Sequence, residues 1–310
     1  MAGKTKIIML MGPTATGKTG IAIDAAEQFN GEIISVDSAL VYRDMNIGTA
    51  KPTQDELARI PHHLIDIIEP EQTYSVAQFR RQALNLIDDI TSRGKLPILA
   101  GGTVLYHRAL LNGLAPMPTA DPEIRQRLTQ CLMQQGAQVL HQRLQDIDPV
   151  SAQRIHSNDP QRLLRALEVY EISGKTLTQH HRQPQQCEAP FECLKLGLIP
   201  DNRQQHRELI AERFHSMLKS GFVEEVQALR RRKGLSSDSP SMRSIGYRQI
   251  WLYLDGHYDF KTMTGNAVTA TRQLAKRQMT WLRKEPDIRL LNCFQSPKMP
   301  LLRHISQFLD

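Results

Sequence analysis

Five consecutive apolar residues, Ile7-Ile8-Met9-Leu10-Met11, stand near the start of the chain and end at Gly12. A run this short, bounded by a turn residue, predicts a buried strand. Gly12–Thr19 then reads as a loop and Gly20–Phe29 as a helix. Gly31 breaks the pattern, and Glu32–Val36 predicts a second strand ending at Asp37. Ser75–Ser92 carries Ala83, Leu84, Ile87 and Ile90 at helical spacing, and Gly94 stops it. Leu96–Ala100 is a third apolar run, closed by Gly101-Gly102-Thr103. Strands alternating with helices predict an α/β fold, a parallel sheet covered on both faces. Ligands of such sheets sit beyond the carboxyl ends of the strands. Thr14–Thr19, Asp37 and Thr103 each follow such an end, so one cleft can collect them.

The pattern changes after Pro116, Pro118 and Pro122. From Asp121 to about Gly174 the chain is polar and helical, with no strand candidate. Asp159-Pro160 predicts a helix start, because Asp caps free amides and a first-turn Pro forfeits no hydrogen bond. Gly174 predicts the stop. Gln179–Pro190 is Gln- and His-rich and reads as loop. Strand character returns over Cys193–Ile199, and helices are expected over Gln204–Leu218, Val223–Arg232 and Thr262–Lys284. The expected division is an α/β core over 1–114, a helical insertion over 115–192, and core completion with basic helices over 193–310.

Composition removes some classes. Apolar residues make up 40% of the chain, and no run approaches bilayer length. The first strand follows the start directly with no targeting pattern, so a cytoplasmic location is expected. Cys131, Cys187, Cys193 and Cys293 show no Cys-x-x-Cys spacing, so neither zinc nor a disulfide framework is indicated. The net charge of +7 favours a polyanionic partner. Much of it falls late, in Arg230-Arg231-Arg232-Lys233 and over Arg272–Lys284.

The strongest chemical signal is Gly12-Pro13-Thr14-Ala15-Thr16-Gly17-Lys18-Thr19, which fits G-x-x-x-x-G-K-[ST] between a strand and a helix. Its glycines let backbone amides turn toward phosphate oxygens, Lys18 adds charge, and the Thr19 hydroxyl can ligate Mg²⁺. This makes the core P-loop NTPase-like. Asp37 suits a general base or a carboxylate holding Mg²⁺ through water, and an N-cap or solvated turn residue accounts for it equally. Gly101-Gly102 permits close ligand approach and Thr103 can bond the ligand, although a plain turn explains them too. Arg162 and Arg165 share a helix face that suits phosphate, as would a solvated face. On Arg272–Lys284, Arg272, Lys276 and Arg283 form one basic stripe, while Arg277, Trp281 and Lys284 form another. Trp281 can stack on a base, but a helical Trp is more often core. His62-His63 and His180-His181 lack ligand partners at metal spacing and read as structural.

Taken in order, these segments resemble the tRNA dimethylallyltransferase (isopentenyltransferase) family. The resemblance rests on the phosphate loop, Asp-Ser-Ala-Leu-Val-Tyr at 37–42, Ile-Gly-Thr-Ala-Lys-Pro at 47–52 and Pro-His-His-Leu-Ile-Asp at 61–66. It continues through Gly-Gly-Thr-Val-Leu-Tyr at 101–106, Asn-Asp-Pro-Gln-Arg-Leu-Leu-Arg-Ala-Leu-Glu at 158–168, Arg-Ser-Ile-Gly-Tyr-Arg at 243–248 and Thr-Arg-Gln-Leu-Ala-Lys-Arg-Gln-Met-Thr-Trp-Leu-Arg at 271–283. One departure stands out: where the family has Leu-x-x-Arg-Ile-x-x-Arg, Leu209 replaces the first arginine and Arg213 keeps the second. No diphosphate contact is assigned to that helix.

The resemblance implies transfer of a dimethylallyl group from dimethylallyl diphosphate to the N6 amine of the adenosine 3′-adjacent to the anticodon. Lys18, Thr19, the loop amides and Mg²⁺ would steady the departing diphosphate, Asp37 would take the proton, and Thr103 would position the reacting groups. The tRNA contacts it implies are Asp37, Ser38, Ala39, Leu40 and Thr103, with Arg125 on the insertion. Gln161, Arg162, Leu163, Leu164 and Arg165 join them, as do Arg243, Ser244, Ile245, Gly246, Tyr247 and Arg248. The last group is Lys276, Arg277, Gln278, Met279, Thr280, Trp281, Leu282 and Arg283. The partners expected are the tRNA anticodon stem-loop and the prenyl donor, with no membrane and no obligate protein partner. A small-molecule P-loop kinase, a nucleic-acid-binding ATPase and prenylation of free adenine nucleotides are the alternatives; the late basic helix argues against the first and last.

Overall fold

The computed structural model describes residues 4–182 and 189–310. Cys187 and the middle of the Gln179–Pro190 segment lie outside them. Along β1 (Thr5–Met11) successive side chains enter opposite layers. Ile8 and Leu10 pack with Ala22, Ile23, Ala25 and Ala26 of α1 (Lys18–Gln28), whereas Ile7, Met9 and Met11 join a second cluster. A strand buried on both faces must be apolar throughout, which is why the run at 7–11 is unbroken.

The next elements are β2 (Gly31–Ser35), α2 (Gln54–Arg59), β3 (His62–His63), α3 (Val76–Ser92), β4 (Leu96–Gly101) and α4 (Val104–Asn112). Ser75 caps α3 in a reciprocal box with Gln78. Phe79, Ala83, Ile87 and Ile90 of α3 are buried against the second face of the sheet, and Leu84 packs at its margin. After the insertion come β5 (Phe191–Ile199) and, further on, β6 (Arg289–Asn292). The strand order is β3-β2-β4-β1-β5-β6, parallel throughout. Met11 pairs with Gly101, and Ser35 with Ala100, so β1, β2 and β4 end level. This register brings the loops that follow them to one edge.

The insertion contains α5 (Pro122–Gln135), α6 (Ala137–Ile147), α7 (Pro149–Arg154), α8 (Pro160–Ser173) and α9 (Leu177–Arg182). Asp121, Asp148 and Asp159 each cap a helix whose first residue is Pro. Its own core is Leu128, Leu140, Leu144, Ala152, Ile155, Leu163, Ala166 and Leu167. The compact unit covers Asn112–Glu188, and the remainder, 1–111 with 189–310, forms the other. The expected bounds of 115 and 192 therefore move by a few residues, because β5 already pairs with β1 at Phe191. The loop expected from Gln179 is helical through Arg182: Thr176 accepts the Gln179 amide and buried Asp148 accepts the Thr178 amide.

The larger unit ends with α10 (Arg203–Lys219), α11 (Phe222–Arg230), α12 (Tyr247–Leu254), α13 (Phe260–Leu282) and α14 (Lys298–Leu309). Helices α10 to α13 enclose a third cluster with Val41, Tyr42 and Met45, while α14 covers the α1 face of the sheet. The short β3 and β6, with α2, α12 and α14, are elements that the sequence reading does not assign. No helix among the described residues is long and apolar enough to cross a membrane.

Candidate active site

The phosphate loop turns on Gly17, at φ 75°, and on Ala15, at φ 62°. A side chain on Gly12 would meet the Leu198 carbonyl at 2.8 Å, so β5 dictates that glycine. Thr16 Oγ1 donates to the Pro13 carbonyl at 2.9 Å, and Lys18 Nζ to the same oxygen at 2.7 Å. Thr19 is exposed on the first turn of α1, where helix amides lack internal partners. Burial pulls the Lys18 ammonium down to about 8; Asp37 opposes that shift and Arg213 adds to it. Burial likewise lowers Arg213, and Asp37 counters it. Lys18, Asp37 and Arg213 thus share one electrostatic neighbourhood. Arg213 was unassigned from the sequence because Leu209 broke the arginine pattern.

Asp37 follows β2 and is partly exposed. Its Oδ1 accepts the Ala39 amide at 2.8 Å, which pins one carboxylate oxygen. Thr103, after β4, accepts the Ser38 amide on Oγ1 at 3.1 Å and gives its own amide to the Val36 carbonyl at 3.1 Å. A side chain on Gly101 would come within 2.1 Å of the Val36 carbonyl oxygen. The glycine pair is thus a packing requirement that brings Thr103 beside Asp37, and the turn and ligand readings converge.

The remaining motifs divide by burial. On α13, Lys276, Arg277, Thr280 and Arg283 are exposed, as is Lys284. Arg272 is exposed and donates to the Arg207 carbonyl at 3.2 Å. Trp281 packs into the core cluster under the sheet and stacks on buried His107, with centroids 6.0 Å apart. Of the two readings open for Trp281, the structure supports core packing, with the ring half-buried. Leu282 is buried, and Gln278, 7% exposed, points its carboxamide inward. Met279 is half-buried.

In Arg243–Arg248 only Arg243 and Arg248 are exposed; Ser244 and Ile245 are half-buried. Tyr247 is fully buried, and Gly246 is closed off by Phe222. The Tyr247 hydroxyl donates to Glu225 Oε1 at 2.6 Å, and Glu225 also accepts the amides of Asn46, Ile47 and Gly48. Lys51 Nζ donates to the Tyr42 carbonyl, Asn46 Oδ1 and Asp66 Oδ1. The segments 47–52, 61–66 and 243–248 are therefore one scaffold, which explains why these residue types occur there. Residues of 47–52, with Asp66, border a cavity of about 830 Å³ that Arg213, Arg43, Leu57 and Met217 help to line.

Within the insertion, Gln161 and Arg162 are exposed at the start of α8. Leu163 is buried and Leu164 packs against the same core. Arg125 and Arg165 each donate to Glu168 Oε2 at 2.7 Å, and Arg165 also to the Pro118 carbonyl at 2.8 Å. Glu168 is fully buried. A buried carboxylate needs such partners, so Arg125 and Arg165 both serve the packing of the insertion, Arg125 staying exposed and Arg165 half-buried. Arg162 has a surface pair with Asp159 at 3.4 Å.

The sequence profile of the IPP transferase family matches residues 40–285. Three solved structures are similar over nearly the whole chain. A full-length tRNA isopentenylpyrophosphate transferase from Bacillus halodurans is 35% identical, with 98% of this chain and 96% of that chain covered and a TM-score of 0.72. A tRNA delta(2)-isopentenylpyrophosphate transferase from Staphylococcus epidermidis is also 35% identical, with 99% of both chains covered and a TM-score of 0.72. A eukaryotic dimethylallyltransferase acting on tRNA is 28% identical, with 97% of this chain and 78% of that chain covered and a TM-score of 0.81.

Proposed function

The chain belongs to the IPP transferase family, and from that premise we propose that it transfers a dimethylallyl group from dimethylallyl diphosphate to the N6 amine of the adenosine 3′-adjacent to the anticodon of tRNA. The observation that supports this most is the shared neighbourhood of Lys18, Arg213 and Asp37 beside Thr103. Two cations at a phosphate loop suit a departing diphosphate, and a carboxylate next to them suits a base.

Lys18, Arg213 and the first amides of α1 hold the diphosphate and stabilise the negative charge that grows on it as the allylic C–O bond breaks. The adenine N6 lone pair forms the new C–N bond, and its proton passes to the unpinned oxygen of Asp37. That amine is a weak nucleophile, so loss of its proton to a placed base matters. Thr103 holds the Ser38 segment and so orients Asp37. The adenosine leaves its stack to reach this edge, at a cost of a few kcal/mol that is least in a loop.

Thr19 fits a magnesium ion by its exposed hydroxyl on the first turn, since magnesium favours few protein oxygens plus water and phosphate. No group of three or more His, Cys, Asp or Glu among the described residues forms an alternative metal site. Bound there, magnesium supplies charge neutralisation of the diphosphate. The anticodon stem-loop meets exposed Lys276, Arg277, Arg283, Arg243, Arg248 and Arg162. The proposal includes a cytoplasmic setting and no obligate protein partner. The test is incubation with labelled dimethylallyl diphosphate, Mg²⁺ and either unmodified tRNA or AMP. Label on tRNA is expected; label only on AMP, or on neither, overturns the proposal.

A further inference from the structure

Gln278 lies on α13 among the residues expected to meet tRNA, yet its carboxamide is used inside the protein. Its Oε1 accepts the Thr14 amide at 3.2 Å, and its Nε2 donates to the Gly102 carbonyl at 2.8 Å. Only one orientation of the amide satisfies both, since an N–H must meet an oxygen acceptor and a carbonyl must meet a donor. The fit is close: a side chain on Gly102 would stand 2.5 Å from Gln278 Nε2 and 3.1 Å from the Gly12 carbonyl. Thr14 is held from its other side as well. Buried His206, on α10, donates from Nε2 to the Thr14 carbonyl at 2.9 Å. The Thr14 amide, given to Gln278, is not free for a phosphate.

We propose that Gln278 is a positioning residue that ties the diphosphate loop, through Thr14, to the loop carrying Thr103, through Gly102, so that the donor and acceptor halves of the site keep one spacing. This rests on the transfer reading above. The chain of contacts runs Thr14, Gln278, Gly102, Thr103, Ser38, Asp37, and each link is a hydrogen bond or a peptide neighbour. Reaction between two bound groups depends steeply on their separation. A bridge between the two loops therefore acts on turnover more than on acceptor affinity. Lys276, Arg277 and Arg283 point outward from the same helix and do not depend on the carboxamide.

The test compares Gln278→Met, of similar length but without the hydrogen bonds, with Gly102→Ala, which keeps Gln278 but displaces its amide. For each, and for the double variant, kcat, KM for tRNA, affinity for inorganic diphosphate with Mg²⁺, and Tm are measured. Both single variants should bind diphosphate about tenfold more weakly, the order expected for lost hydrogen bonds, and lose at least as much kcat. KM for tRNA should stay within about twofold, and the double variant should be no worse than the worse single one, because both break the same link. Native diphosphate affinity and kcat in Gln278→Met overturns the proposal. So do additive losses, a loss of kcat that merely follows the unfolded fraction, or a rise in KM for tRNA alone. If Gln278→Met does not fold, Gly102→Ala decides. Diphosphate binding is read without tRNA, so weak binding in the variants alongside a wild type that labels no tRNA sinks the transfer reading and leaves the bridge standing.

Discussion

The two ends of β2 carry one carboxylate each and use them in opposite ways. Glu32, near its start, is 2% exposed and accepts from Arg93, from Lys95 at 2.7 Å and from His63 at 2.8 Å. The Arg93 hydrogen bonds, with help from Lys95 and His63, hold Glu32 well below the usual carboxylate range against the opposing effect of burial. Asp37, just past the other end, gives one oxygen to a backbone amide and meets Lys18 and Arg213 only through space. A carboxylate whose two oxygens are both engaged by donors contributes stability and has none left to meet a substrate. One with an unpinned oxygen can face a reacting group. The difference lies in the partners, not in the residue type.

The sharpest way to break this contrast is Asp37→Asn, which keeps the bond to the Ala39 amide but removes the base. Turnover should fall about 10²- to 10⁴-fold, with tRNA binding retained in a filter or fluorescence assay. A near-normal rate would remove Asp37 as the base. The converse change, Glu32→Gln, should cost about 1–3 kcal/mol in urea unfolding, because partly exposed cations lose a buried partner, while folded enzyme keeps its kcat. The pH dependence has a definite sign. A carboxyl lowered in the folded state stabilises above its ordinary value of 4.5 and loses that contribution as pH falls below it. Wild-type stability should therefore drop below about pH 4.5, and Glu32→Gln should flatten that part of the curve.

Lys18 gives a milder test. With its ammonium lowered to about 8, diphosphate affinity should weaken as pH rises through that value, by up to about tenfold per unit. Lys18→Arg should lose that inflection, since guanidinium stays charged. For stability the sign is opposite to that of a salt-bridged lysine: burial of the charge costs most below about 8, and the cost fades as pH rises toward 10.5. The smallest effect belongs to an exposed cation. Lys276→Ala should weaken tRNA binding and lower the salt slope by about 0.7–0.9, and an unchanged slope would argue against a phosphate contact there.

Several parts of this molecule were legible because their signals are local. The strand at 7–11, the phosphate loop, the capped helix from Asp159 and the burial face of α3 follow from apolar spacing, turn chemistry and capping, each readable within a few residues. Asp37 and Thr103 were legible one step further, because residues after parallel strands must gather at one edge. The basic face of α13 was legible as charge, but its inner face was not. Arg213 was left unassigned because Leu209 breaks the arginine pattern of its helix, and its place near Lys18 and Asp37 is visible only in the fold.

The sequence by itself determined the α/β class, the helical insertion, the phosphate loop and the family resemblance. The tertiary structure alone decided which polar groups are committed and which remain for chemistry. Glu168 claims Arg125 and Arg165, Glu225 claims the 46–48 loop, and Gln278 reaches Thr14 across 264 positions of chain. Hydrophobic periodicity and turn preference are properties of neighbouring residues, so they survive in one dimension. Desolvation and hydrogen-bond partnership depend on groups that only the completed fold brings together, and they separate Glu32, within β2, from Asp37, just beyond its end.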